Sequence, residues 1–162
     1  MNTCALAVDL GASSGRHILG RLENGSMVTE EIYRFSNGME KKDGRLCWDT
    51  QALIGHIVEG MKRCGQAGYR PVSVGIDTWG VDYALLDGEG TLAAPVTAYR
   101  DSRTALMPAR LEERMAAREL YAHTGIAAQE YNTVYQLMTE RAEPDRTLLF
   151  MPCYLSWLLC GV

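Results

Sequence analysis

Residues 9–16, with the sequence DLGASSGR, have the residue types of an anion-binding turn. The apolar residues 4–8 before them predict a short buried strand, so Asp9 lies where that strand ends. The small residues allow a tight turn that brings N–H groups, hydroxyls and the Arg16 guanidinium close to an anion. Asp9 is badly placed to touch a phosphate directly, but it suits a Mg²⁺ ion held through water. A plain Gly/Ser turn between two strands would contain the same residues, so the motif alone leaves both interpretations open.

Two better-known phosphate loops do not fit these residues. A P-loop requires Lys-Ser or Lys-Thr after its glycines, and neither follows here. The dinucleotide fingerprint requires G-x-G-x-x-G and then a helix. Gly11 and Gly15 are four residues apart, and residues 17–22 after them have the pattern of a strand.

A second carboxylate follows a second apolar run. Residues 72–76 predict a buried strand that ends at Asp77, and the turn Thr78-Trp79-Gly80 comes next. The Trp79 indole would stack well on the face of a sugar, and Gly80 would let hydroxyl groups approach the backbone. A lone tryptophan is more often a core residue, so packing is the competing interpretation.

Composition and charge exclude several classes of protein. The chain has 162 residues, enough for one domain with a sizeable core, and 47% of them are hydrophobic. The net charge of −4, with scattered Lys and Arg, argues against binding to nucleic acid or to an anionic membrane surface. The five cysteines show no C-x-x-C spacing, so reduced thiols are expected rather than a disulfide framework or a zinc site. Without a signal peptide or a membrane-spanning pattern, the sequence predicts a cytoplasmic protein.

The order of the predicted elements differs from that of a doubly wound parallel fold. An Asn24-Gly25 turn predicts a hairpin soon after the first strand. Residues 37–45 indicate a surface loop, and His56 is expected on the solvent face of a helix. The predicted strands are 4–8, 17–22, 27–35, 46–48, 72–76, 81–87 and a buried 147–151, and the predicted helices are 50–65, 105–115, 118–123, 133–141 and one that opens at Pro152.

Taken together, these motifs resemble the N-terminal domain of the FGGY carbohydrate kinases. The resemblance rests on DLGASSGR at 9–16, GIDTWGVDYALLD at 75–87, AYRDSRT at 98–104, TGI at 124–126 and NTVYQL at 132–137. It implies an α/β domain of the ribonuclease H-like, actin-like ATPase type. Its mixed sheet would have three antiparallel strands followed by parallel strands and helices. Ala12 and the stretch 77–80 point to the branch that phosphorylates L-rhamnulose at its 1-hydroxyl.

The resemblance also implies two sets of contacts. ATP would bind at the first turn, with Mg²⁺ held by Asp9 through water, and the ketose would bind at the second turn. Asp82 is expected to brace the second turn, and Tyr131 and Asn132 are further candidates beside it. Without the resemblance, residues 100–103 would indicate only a surface ion network. The nucleotide set is Asp9, Gly11, Ala12, Ser13, Ser14, Gly15 and Arg16, and the sugar set is Asp77, Trp79, Gly80, Arg100 and Asp101.

The catalytic part of such a kinase is divided between two domains. The resemblance places the general-base aspartate and most of the adenosine site in a second domain, beyond Val162. Residues 1–162 are therefore expected to be an N-terminal domain with no catalytic residue of its own, whose partners are ATP, a ketose and that second domain. Alternatives are a kinase for fuculose or xylulose, or a non-catalytic sugar- or nucleotide-sensing domain of the same fold.

Overall fold

The structure is a computed structural model that describes residues 2–141 and 143–161. No helix formed by these residues is long and apolar enough to cross a membrane. In chain order the elements are β1 (Asn2–Leu10), β2 (Ser14–Glu23), β3 (Ser26–Ser36), β4 (Met39–Lys42), β5 (Arg45–Trp48), α1 (Thr50–Gln66), β6 (Tyr69–Thr78), β7 (Tyr83–Leu86), a 3-10 helix (Ser102–Thr104), α2 (Met107–Glu112), α3 (Ala117–Thr124), α4 (Thr133–Leu137), β8 (Thr147–Phe150) and α5 (Met151–Cys160).

A four-stranded mixed sheet in the order β3-β2-β1-β6 positions everything else. Strands β1, β2 and β3 are antiparallel to one another in turn, whereas β6 runs parallel to β1. The hairpin turn is made by Asn24 and Gly25, both at positive φ, as the sequence predicts. The predicted mixed sheet with three antiparallel strands is confirmed, but in the described part of the chain one parallel strand, β6, follows them where several were expected.

One face of this sheet carries the core. Cys4, Leu6, Val8 and Leu10 are buried along β1, while the alternate residues between them are exposed or only partly buried. The prediction of a fully buried first strand is therefore wrong for one of its two faces. Helix α1 covers the buried face with Leu53, Ile57 and Cys64, and the Asp49 carboxylate caps its first turn by accepting from the Ala52 N–H at 3.0 Å. Helix α5 adds Met151, Tyr154 and Leu155 to the same core.

Some predicted elements differ from those observed. The expected loop at 37–45 is a hairpin, β4 and β5, with Asp43 and Gly44 at positive φ in its turn. Strand β6 is a sheet edge, so Val72 and Val74 are exposed where a buried strand was predicted. Strand β8 is also only partly buried, since it pairs with β7 outside the main sheet. Helices α2 and α4 are shorter than predicted, whereas the ends of α3 agree within a residue.

His56 does not point into solvent as predicted. Its ring stacks on Phe35 with centroids 4.0 Å apart, and its Nδ1 lies 2.7 Å from the Tyr33 hydroxyl. Strand β3 passes over α1 at this position, so the helix face that looks polar in the sequence is covered by aromatic side chains. All five cysteines are free thiols, as expected.

Two close contacts hold β2 against its neighbours. A Cβ added at Gly15 would overlap the Phe35 ring and crowd Leu10, so the position favours glycine strongly. The His17 ring lies against the backbone of α1 at Gly60, where an added Cβ would overlap the imidazole. The contact of His17 with Gly60 brings the sheet close to α1, whereas at Gly15 the side chains of Phe35 and Leu10, on the two paired strands, close over β2.

Gly15→Ala is expected to destabilise the protein by about 1–3 kcal/mol, because the new methyl group overfills the space beside Phe35. Urea unfolding followed by circular dichroism measures this change. Gly38→Ala is the matched control, since no atom lies within 4 Å of its added Cβ. Equal stability of the two variants would contradict the packing role of Gly15.

His17 is expected to make the protein acid-sensitive. The side chain is fully buried, and neither ring nitrogen has a hydrogen-bond partner among the described residues. Burial lowers the pKa of His17, partly opposed by the Ile57 backbone, and the nearby His56 lowers it further. The unfolded chain therefore binds a proton that the folded protein resists. The stability of the folded protein that depends on neutral His17 is fully present above the pKa of histidine in the unfolded chain, about 6.5. It is lost as the pH falls through the lower pKa of His17 in the folded protein.

His17→Leu should flatten the loss of stability between about pH 7 and pH 5, because leucine does not titrate. Urea unfolding midpoints at the two pH values measure the difference. His123→Leu, which changes an exposed histidine on α3, should leave the pH dependence of the parent unchanged. If His17→Leu keeps the full slope, His17 is not the group responsible.

Candidate active site

The two predicted turns lie at the same end of the sheet, beyond the carboxyl ends of β1 and β6. Strands β1 and β6 are parallel neighbours, and Asp9 is paired in register with Asp77. The chain continues from these residues into the turn at 11–13 and the turn at 78–82. Since the carboxyl ends of parallel neighbours meet at one edge, a ligand held by one turn borders a ligand held by the other.

The first turn is tight and is supported from the end of β3. The Gly11 N–H donates to the Ser14 carbonyl at 2.8 Å, and the Asn37 side-chain amide donates to the Gly11 carbonyl at 2.8 Å. The Asn37 N–H donates to the Ser13 carbonyl at 3.0 Å. Within the described residues, the N–H groups of Ala12 and Ser13 make no hydrogen bond to the protein. They are therefore available to an anion, as the sequence motif implies.

Asp9 and Arg16 face each other across β1 and β2. Both the Nε and an Nη of Arg16 contact the same oxygen of Asp9, at 2.8 and 2.7 Å. Each side chain is almost half exposed, so this ion pair contributes little to stability. The pair is weak enough for either group to turn toward a ligand.

The second turn borders a cavity of about 260 Å³ lined by aromatic and small residues. Its lining residues are Trp79, Gly80, Val81, Tyr99 and Tyr131. No atom lies within 4 Å of a Cβ built on Gly80, so the glycine faces open space rather than a packed neighbour. Tyr99 and Tyr131 meet edge to face with centroids 5.9 Å apart. The two candidates Trp79 and Gly80 thus lie together.

The backbone at this turn is strained. Val81 has φ of +70°, a value that a β-branched residue rarely adopts. The Asp82 N–H donates to the Gly80 carbonyl at 3.0 Å, which closes a three-residue turn around Val81. The Val81 carbonyl accepts from the Thr133 hydroxyl at 2.9 Å and from the Gln136 amide at 3.2 Å. Such strain persists only where the surroundings impose it, as they do here.

Asp82 is the buried carboxylate behind this turn. One of its oxygens accepts from the Trp48 indole at 2.6 Å, the Trp79 indole at 2.9 Å and the Tyr99 N–H at 3.1 Å. The other oxygen accepts from the Gln136 amide at 3.1 Å. Burial raises the pKa of Asp82, and these four hydrogen bonds oppose the rise. The bracing role expected from the sequence agrees with these contacts.

Arg100 and Asp101, the remaining sugar candidates, have different surroundings. The Arg100 guanidinium lies 5.4 Å from the Tyr99 ring centroid and donates to the Tyr99 hydroxyl at 3.1 Å, so it contacts one of the lining residues. Asp101 is buried, and its oxygens accept from the N–H groups of Leu46 and Arg103 and from the Arg45 guanidinium. Burial alone would raise the pKa of Asp101, but these partners hold it below its ordinary value. Asp101 therefore braces the loop in this structure.

Three residues at the site had no clear signal in the sequence. Trp48 lies beneath Trp79 with centroids 4.0 Å apart, although the two are distant in sequence. Asn37 supports the first turn from a stretch predicted as a loop, and Gln136 lies within NTVYQL without any pattern that predicts its contacts. Only the Asn-Gly dipeptide at 37–38, a turn signal, pointed to part of this arrangement.

Known proteins with similar sequences are rhamnulokinases. The chain is 41% identical to a rhamnulokinase of Oceanobacillus iheyensis, over 99% of this chain and 36% of that protein. It is 43% identical to a rhamnulokinase of Bacteroides thetaiotaomicron, over 96% of this chain and 33% of that protein. The chain spans about a third of the length of these curated relatives.

Solved structures with similar folds are also sugar and polyol kinases. A xylulose kinase from Rhodospirillum rubrum superposes with a TM-score of 0.77 at 20% identity, over 98% of this chain and 35% of that chain. A Plasmodium falciparum glycerol kinase with ADP gives 0.74 at 14% identity, over 99% of this chain and 34% of that chain. At these identities the likeness shows the fold, and the predicted actin-like ATPase type is confirmed.

The N-terminal domain of the FGGY family of carbohydrate kinases matches residues 4–161. This match covers nearly the whole chain and includes both turns at the sheet edge. The chain therefore belongs to the FGGY family of carbohydrate kinases.

Proposed function

We propose that this chain is the N-terminal part of a cytoplasmic kinase that transfers the γ-phosphoryl group of ATP to the 1-hydroxyl of L-rhamnulose. The observation that carries the proposal is the identity of about 40% to rhamnulokinases over nearly the whole chain. The geometry supports it, because an anion-binding turn and an aromatic-lined cavity share one sheet edge. A phosphate donor and a sugar acceptor need that proximity.

The first turn is the nucleotide side of the proposed site. The Ala12 and Ser13 N–H groups and the Ser13 and Ser14 hydroxyls would bind phosphate oxygens, and Gly11 and Gly15 would keep the turn compact. Arg16 would leave its exposed pair with Asp9 and place its charge beside the transferring phosphoryl group.

The carboxylate of Asp9 fits a Mg²⁺ ion that arrives with ATP. Magnesium keeps several waters and takes few protein ligands. The described residues contain no cluster of three or more His, Cys, Asp or Glu that would hold a metal directly, which agrees with a single carboxylate acting through water. When bound, the ion neutralises phosphate charge. Asp9 would orient it from the end of β1.

The second turn is the sugar side. Trp79 would stack on the sugar ring, and the open space at Gly80 would admit hydroxyl groups to the backbone. Asp77 would accept from sugar hydroxyls at the rim of the cavity, and Arg100 would donate to them. Since the Asp101 oxygens are bound to Leu46 and Arg103, Asp101 would brace the loop around Arg100 rather than touch the sugar.

The reaction needs a base that takes the proton of the 1-hydroxyl as its oxygen attacks the γ-phosphorus and ADP leaves. Asp9 would be committed to the Mg²⁺ ion and Asp77 to binding sugar hydroxyls, and Asp82 is buried under four donors, so none of the three is placed for this role. We therefore assign the base, and most of the adenosine site, to a second domain of the same protein.

Mixing the purified 162-residue chain with ATP, Mg²⁺ and L-rhamnulose is expected to release no ADP above a no-protein control. The full-length protein that contains it should release ADP with L-rhamnulose, and more slowly with L-fuculose or D-xylulose. A coupled ADP assay measures both. Sugar-dependent turnover by the chain alone would contradict the second-domain assignment. Preference for another ketose would contradict the substrate, and sugar binding without turnover by the full-length protein would indicate a sensor.

Gly80→Val in the full-length protein should raise the KM for the ketose by about tenfold or more, because the branched side chain fills the space beside the sugar. The melting temperature should change little, since no atom of the protein lies within 4 Å of the added Cβ. Gly88→Val is the matched control, in an equally open turn outside the cavity lining. Loss of thermal stability without a change in KM would mean that the turn serves packing alone.

A further inference from the structure

Two buried residues outside the cavity lining are hydrogen-bonded to all five residues that line it. Asp82 binds the Trp79 indole and the Tyr99 N–H through its carboxylate, and the Gly80 carbonyl through its own N–H. Gln136 donates to the carbonyls of Val81 and Tyr131, at 3.2 and 2.9 Å. The exposed fractions of Asp82 and Gln136 are both 1%, so a ligand in the cavity meets neither of them first.

We propose that the Asp82–Gln136 pair is the positioning device that shapes the sugar cavity before the sugar arrives. The proposal rests on the proposed function in so far as this cavity holds the ketose. The arrangement of donors and acceptors around the pair supports it in three steps.

The first step concerns the charge of Asp82. One oxygen accepts from three N–H donors, Trp48, Trp79 and Tyr99. The other oxygen faces the Gln136 amide, which also donates. A proton on either oxygen would face a donor and find no acceptor, so only the carboxylate satisfies all four partners. Asparagine has one acceptor atom and cannot replace it.

The second step concerns the orientation of Gln136. Its side-chain oxygen accepts from the Arg103 guanidinium at 2.6 Å, and arginine only donates. The amide nitrogen must therefore face Asp82, Val81 and Tyr131, all of which offer acceptors. Arg103 is held in turn by the Thr139 hydroxyl at 3.2 Å. The hydrogen bonds therefore run in one direction, with Arg103 donating to Gln136 and Gln136 donating to Asp82.

The third step concerns what would move without the pair. Trp79 is on a turn and is only partly buried, so its indole plane is set by its contact with the Trp48 ring, 35° from parallel, and by its hydrogen bond to Asp82. Val81 is held at positive φ by Gln136 and Thr133. Loss of the carboxylate would release the indole and relax the strained turn, and the cavity walls would separate. A sugar would then have to order them on binding.

The test uses Asp82→Asn in the full-length protein, with KM measured separately for the ketose and for ATP. We expect the ketose KM to rise about tenfold, because a buried donor is left facing a donor, and the ATP KM to stay within about twofold. Asp87→Asn is the matched control, since this carboxylate accepts from two backbone N–H groups in an exposed turn outside the cavity. Its two KM values should equal those of the parent.

Gln136→Glu is a second variant that tests the other member of the pair. A carboxylate at position 136 still accepts from Arg103, but it has no N–H for Asp82 or for the carbonyls of Val81 and Tyr131, so the ketose KM should again rise while the ATP KM stays within about twofold. A merely structural role for Asp82 and Gln136 predicts that both KM values rise together as stability falls. An unchanged ketose KM, or equal rises for ketose and ATP, would overturn the proposal.

If Asp82→Asn does not fold, Trp48→Phe decides the matter. Trp48 does not line the cavity, yet it donates the shortest bond to Asp82, so its loss should still raise the ketose KM and spare ATP. No change in ketose KM for this variant overturns the proposal.

A separate measurement keeps this inference distinct from the proposed function. In the 162-residue chain with Trp157→Phe, acrylamide quenching reports on Trp48 and Trp79 without any sugar. Trp48 is buried, so a rise in quenching on Asp82→Asn reports release of the Trp79 indole. That result supports the positioning role even if L-rhamnulose is the wrong substrate, and unchanged quenching counts against it.

Discussion

The parallel pairing of β1 with β6 is the constraint on which the site depends. Hydrogen bonds along the ladder fix the register from Asn2 opposite Tyr69 to Leu10 opposite Thr78. A shift of one residue would turn the buried side chains of β1 away from α1, so the core enforces this register. Because the two strands end together, Asp9 and Asp77 are neighbours. The turn at 11–13 and the turn at 78–82 therefore leave the sheet side by side.

The two turns are held in place by different means. The first turn is formed by small residues, is closed by the hydrogen bond from Gly11 to Ser14 and is supported by the Asn37 side chain. Beside it, Arg16 and Asp9 form a weak, exposed ion pair. Its groups remain free to reorganise around a charged ligand. The second is held by buried hydrogen bonds to Asp82 and carries a strained residue, Val81. A rigid wall suits recognition of a neutral sugar, for which shape and hydroxyl positions decide affinity.

Motif residues in this chain also serve packing. Gly15 lies within DLGASSGR, but the Phe35 ring leaves no room for a side chain at this position. Asp101 lies within AYRDSRT, but it caps the 3-10 helix and accepts from the Leu46 N–H. The chemistry of the motifs and the close fit of β2 and the loops around them are thus encoded by the same residues. A substitution in such a motif tests function only when stability is measured beside it.

The sequence by itself determined the hairpin at Asn24-Gly25, the helix after Asp49, the order of the elements apart from β4 and the 3-10 helix, and the two strand-end carboxylates. It could do so because turn chemistry, capping and periodicity are local. It also indicated Trp79 and Gly80 as members of one turn. Only the tertiary structure decided that Trp48 lies under Trp79, that Gln136 joins Asp82 to Arg103, and that His56 is covered by β3. These contacts join residues that are distant in the chain, and no local pattern specifies which distant side chain fills a given space. The sequence therefore indicated the candidate residues, and packing across the sheet decided how they are held.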